Sequence, residues 1–86
     1  MKKILRIAKA LDDLQVGYHL WLEGKRFSLD VGEIFIVRDT VWFSCGEITA
    51  PMDDGDNLQS WVEAYVMGEE AFREHLIETG LLELTA

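Results

Sequence analysis

Two histidines, one cysteine and a cluster of aspartates are the side chains here whose types could do chemistry. His19 and His75 are the only histidines, and Cys45 lies far from both in sequence, so no zinc-ligand spacing is present. Asp53, Asp54, Asp56 and Asn57 around Gly55 suggest a calcium loop at first sight. An EF-hand loop needs oxygen ligands at alternating positions, then a glycine, then a distant glutamate. Gly55 is instead flanked directly by Asp54 and Asp56, and Met52 occupies the alternate slot, so the cluster reads as a solvated loop that caps a helix. Ser, His and Asp occur without a G-x-S-x-G or cysteine-protease frame, and glycine-rich nucleotide loops and Walker patterns are absent. The expectation is a non-enzyme with no catalytic residues, no metal and no cofactor.

The remaining chemistry is charge. The 86 residues carry a formal net charge of −8, and it is unevenly laid out. Residues 1–46 hold seven basic and six acidic side chains, whereas residues 47–86 hold ten acidic ones and a single cation, Arg73. Asymmetry of this kind points towards an interaction role. Glu70, Glu74 and Glu78 are spaced to form one stripe on a helix, a carboxylate about every 6 Å. Like charges at that spacing weaken an isolated helix by a few tenths of a kcal/mol per pair. Glu63, Glu69 and Glu83, with Asp53, Asp54 and Asp56, could widen the stripe into an acidic surface. The bland alternative is a solvated face that keeps the chain soluble.

The elements that must position these residues follow from periodicity. Residues 2–15 place Ile4, Ile7, Ala8, Leu11 and Leu14 on one helical face, with Leu5 at its edge, and Gly17 is expected to break the helix. Residues 18–31 read as a hairpin. A Gly24-Lys25 turn pairs Leu22 with Phe27, Leu20 with Leu29 and Tyr18 with Val31, all on one face, and sets Glu23 opposite Arg26 and His19 opposite Asp30. A turn at Glu23-Gly24 keeps the same faces but loses two of these matches. A second hairpin spans about Glu33 to Cys45 and turns near Arg38-Asp39-Thr40. Its strands are apolar on both faces, which predicts either central strands or cover on two sides. Residues 46–57 read as a loop.

Asp56 or Asn57 then caps a helix whose stripe is Leu58, Trp61, Val62, Tyr65 and Val66. Gly68 ends that helix. Glu69 and Glu70 open a third, which runs to about Thr79 and closes on Gly80, with Leu81 reaching back to Leu76. Residues 81–84 are either a short edge strand or a packed tail. The predicted fold class is α+β in a single domain, residues 1–86: an N-terminal helix, a four-stranded antiparallel sheet of two hairpins, and two C-terminal helices packed on one face. Trp21 shares its strand face with His19, Glu23, Ser28 and Asp30. It is either covered by another element, which the small size of the chain favours, or offered to a partner.

Bulk composition narrows the class further. A hydrophobic fraction of 49% with three Trp, four Phe and two Tyr supports a real core and argues against disorder. A lone cysteine cannot form an intramolecular disulfide, so Cys45 reads as a small apolar filler in a strand. Arg6 and Lys9 interrupt what would be the apolar run of a signal peptide, and no stretch approaches the roughly 20 residues of a membrane span, so a cytoplasmic protein is expected. Lys2, Lys3, Arg6 and Lys9 make too weak a basic footprint for direct nucleic-acid binding.

In size, acidity and helix–sheet–helix order the chain resembles, as a class, the small acidic inhibitors of phages and mobile elements, such as anti-CRISPR and anti-restriction proteins. That resemblance implies a stoichiometric binder with no chemistry, its carboxylates standing in for phosphates on a basic, nucleic-acid-handling partner. The expected partner-binding set is Glu63, Glu69, Glu70, Glu74, Glu78, Asp53, Asp54 and Trp21. The alternative is a housekeeping or toxin-neutralising interaction module, homodimeric through the Trp21 face.

Overall fold

The computed structural model describes residues 2–52 and 58–81. Helix α1 (Lys2–Asp13) is followed by strands β1 (His19–Trp21), β2 (Arg26–Leu29), β3 (Gly32–Val37), β4 (Thr40–Cys45) and β5 (Ile48–Pro51). Helices α2 (Leu58–Val66) and α3 (Glu69–Thr79) complete it. The strands form one antiparallel meander in the order β1-β2-β3-β4-β5. The α+β class with a helix before the sheet and two after it is as expected, but among the described residues the sheet has five strands where four were predicted.

The fifth strand comes from the segment read as a loop. Gly46 adopts φ 60 in the two-residue Gly46-Glu47 turn, and Cys45 pairs with Ile48 directly beyond it. Ile48-Thr49-Ala50 is short, and Pro51 argues against a strand until its position is known. At the sheet edge a proline has no ladder partner to deny. Asp53, Asp54 and the predicted Asp56 or Asn57 cap lie outside the described residues, as do residues 82–84.

Helix α1 ends earlier than Gly17. Val16 N–H donates to Leu11 O at 3.0 Å and Gln15 N–H to Asp12 O at 3.0 Å, with Gln15 at φ 58. This is a Schellman closure with a non-glycine residue in the left-handed position. The α1 face is essentially as read: Ile4, Ile7 and Leu11 are buried, joined by Ala10, while Leu5 is exposed.

The first hairpin takes the second of the two candidate turns. His19 pairs with Ser28, Leu20 with Phe27 and Trp21 with Arg26, and Lys25 N–H donates to Leu22 O at 3.2 Å around Glu23-Gly24. The register is therefore two residues from the Gly24-Lys25 pairing. Leu22 sits exposed in the turn, and Glu23 and Asp30 lose their predicted partners. Both registers keep every side chain on its face, so alternation could not separate them. The observed one builds a continuous inner row, Leu20–Phe27–Ile34–Phe43–Ala50, across all five strands.

That inner face meets all three helices in one core. Phe43 stands at its centre, with ring centroids 5.4 Å from Trp61, 5.2 Å from Tyr65 and 5.9 Å from Phe72, so β4, α2 and α3 close on a single aromatic cluster. Trp61 and Tyr65 are core residues, as their helical stripe predicts, and Cys45 is buried as a strand filler. Gly32 lets two backbones and a side chain converge: a Cβ there would overlap the Ser44 carbonyl and the Tyr65 hydroxyl. No described helix is long and apolar enough to cross a membrane.

Candidate interaction surface

Strand alternation sends every second side chain away from the core. Through the observed register these outward residues align in rows. The first is Trp21–Arg26–Phe35–Trp42–Pro51, one residue from each strand. The second, beside it, is His19–Ser28–Glu33–Ser44–Thr49. Phe35, Trp42 and Pro51 are neither members of the core nor packed against it, and Trp21 is 47% exposed. Of the two arrangements expected for the apolar hairpin, the structure shows the central one, with β3 and β4 flanked by strands on both sides and no second layer packed on their outward rings among the described residues. The outward rings cover each other instead: Phe35 and Trp42 stack with an interplanar angle of 4° and centroids 6.3 Å apart.

The polar groups of this face are largely partnered within it. Trp21 donates its indole N–H to Ser28 Oγ at 3.1 Å, and its ring lies 5.5 Å from the Arg26 guanidinium carbon. His19 meets the edge of the same indole at 4.4 Å. Thr49 donates to Ser44 Oγ at 3.2 Å. Arg26 and Glu33 are the only charged residues in all five strands, and they pair with each other at 3.6 Å. That separation is long for a hydrogen bond, and it leaves Arg26 Nε buried without an acceptor. The five strands thus contribute none of the net charge of −8.

Four residues of the predicted acidic set lie on the helical layer. Glu70, Glu74 and Glu78 are exposed along α3, and Glu63 is exposed on α2. None of these four has an ion-pair partner among the described residues. Glu69 differs from them: it pairs with Arg73 at 3.7 Å and lies over Gly46, so it ties α3 to the β4–β5 turn. Burial first, then the Glu69 carboxylate, pushes the Cys45 thiol up, which disfavours a reactive thiolate.

The predicted partner-binding set is therefore split. Glu63, Glu70, Glu74 and Glu78 lie on the helical layer, Glu69 has a structural contact, and Trp21 is on the opposite face. Phe35, Trp42 and Arg26 belong with Trp21 and were missed. Their signal was present as a hairpin apolar on both faces in a chain with too few elements to cover both. Among the described residues no three His, Cys, Asp or Glu side chains gather as a metal site would require. Comparison with family models, with curated proteins and with solved structures returns no match.

Proposed function

We propose that this protein is a non-enzymatic interaction module that binds through the open face of its sheet. The observation that carries this reading is the outward row Trp21–Arg26–Phe35–Trp42–Pro51, with Trp21 exposed and the other four half-buried. Contiguous exposed apolar patches on a small domain mark interaction sites, and aromatic residues and arginine are the side chains enriched there. A second reading is favoured by a different observation, the exposed glutamates of α3 without cations to offset them. In that reading the helical layer docks on a basic surface, such as a nucleic-acid-binding groove, in the manner of an acidic inhibitor.

One capture experiment from cell lysate at about 50 mM and about 500 mM salt separates the two, since ionic docking is screened by salt and apolar contact is not. The bait proteins are the unaltered chain, a Trp21→Ser/Trp42→Ser variant, and a Glu70→Lys/Glu74→Lys/Glu78→Lys variant. The sheet-face reading expects capture that survives high salt and is lost in the tryptophan variant alone. Loss confined to the glutamate variant and to high salt supports the acidic reading. Unchanged capture by the tryptophan variant sinks the first proposal.

A further inference from the structure

Resting on the sheet-face reading, we infer that the occupant of this face is a second copy of the same chain, paired sheet to sheet. Charge is the first argument. A chain of net charge −8 resists self-association wherever its acids would meet, and among the described residues all of its acids but Glu33 lie on helices and in turns. The strands hold only Arg26 and Glu33, already paired, so two copies of this face can meet without burying an unmatched charge. A partner selected by charge would instead be drawn to the helical side.

Pairing through the sheets also moves the acidic stripes to the outside. Facing sheets pack about 10 Å apart, and a helical layer of about 10 Å lies behind each. The two rows of Glu70, Glu74 and Glu78 then stand roughly 30 Å apart, several times the screening length of about 8 Å at physiological salt. Two donors of the face are already used: the Trp21 indole N–H and the Thr49 hydroxyl donate within their own protomer, whereas Arg26 Nε, 3.6 Å from Glu33, still needs an acceptor.

The area available limits how tightly such a pair can hold. Five strands at about 4.8 Å by three to six residues at about 3.3 Å give a corrugated face of roughly 24 by 15 Å. Val37, 50% exposed and outward on β3, extends its apolar rim at the end carrying the β1–β2 and β3–β4 turns. Its projected area, about 400 Å² or less, is about half of the roughly 800 Å² per partner of a standard interface, so the pairing is expected to be weak. Two-fold pairing, in which one patch meets itself, is the commonest form of oligomer.

The test is sedimentation velocity with the full chain from about 5 to about 200 µM. The expected result is a species of twice the 9.8 kDa chain mass that persists or strengthens at about 500 mM salt. Trp42→Ser and, at the rim, Val37→Asp are expected to keep the circular dichroism spectrum of the unaltered chain while weakening the dimer at least ~30-fold. The glutamate triple variant is expected to dimerise as the unaltered chain does. A monomer throughout the concentration range, or a dimer unaffected by both face variants, overturns the inference. Should the chain be monomeric while lysate capture still requires Trp21 and Trp42, the second-copy inference fails and the sheet-face reading stands. Should both results be negative, both fail.

Discussion

Tyr65 donates its hydroxyl to the Ser44 carbonyl at 2.8 Å, and Gly32 leaves the room for it. Burial first, then Cys45 and Glu33, pushes this hydroxyl well above the ordinary tyrosine value of 10.0. The folded state therefore holds its proton after the unfolded chain has released its own. Stability attributable to Tyr65 is full below pH 10 and falls as pH rises beyond that value. Urea denaturation between pH 8 and pH 11 is expected to show this loss, and Tyr65→Phe is expected to reduce it. At pH 7 the same substitution is expected to cost about 1 kcal/mol, the usual worth of one hydrogen bond. A Tyr65→Phe variant with an unchanged alkaline profile would assign the loss to other groups.

At the scale of elements, two helices carry sequence choices that folding alone does not favour. Gln15 closes α1 at φ 58, a conformation that costs a residue with a Cβ about 1 kcal/mol relative to glycine. Gln15→Gly is expected to raise stability by roughly 0.5–1 kcal/mol, seen as a higher urea midpoint with an unchanged slope. On α3, Glu74 stands between Glu70 and Glu78 without a cation of its own. Glu74→Lys replaces two repulsive pairs by two attractive ones and is expected to gain about 0.5–1 kcal/mol. Destabilisation by that variant would show that the stripe has a structural job after all. The hairpins illustrate a second limit at this scale. Strand faces were legible from alternation, but the β1–β2 register was not, because a two-residue shift conserves faces. β5 was hidden by Pro51, whose meaning depends on lying at an edge.

For the whole molecule, the separation of surfaces governs what can bind. The helical layer carries Glu63, Glu70, Glu74 and Glu78, the open sheet face carries aromatics and no net charge, and the core lies between them. If the sheet faces pair, folding and association are linked, and the melting temperature is expected to climb with protein concentration. The Val37→Asp variant should melt at one temperature across the same range. Concentration dependence equal in the two proteins would locate any association elsewhere. Thermal scans from about 5 to about 200 µM supply this check independently of hydrodynamics.

By itself the sequence determined the α+β class, the three helices, the buried stripes of α1 and α2, the Gly80 closure of α3 and the segregation of acidic charge. These depend on local periodicity and on the chemistry of helix ends, which a few neighbouring residues specify. Only the tertiary structure decided which side of the β3–β4 hairpin the helices cover. Both of its faces are apolar, so strand composition carried no preference between them. It also decided that Trp21 joins Arg26, Phe35 and Trp42 while Glu70, Glu74 and Glu78 lie behind the core. Such a grouping is set by cross-strand pairing between residues remote in the chain, and no local spacing encodes it.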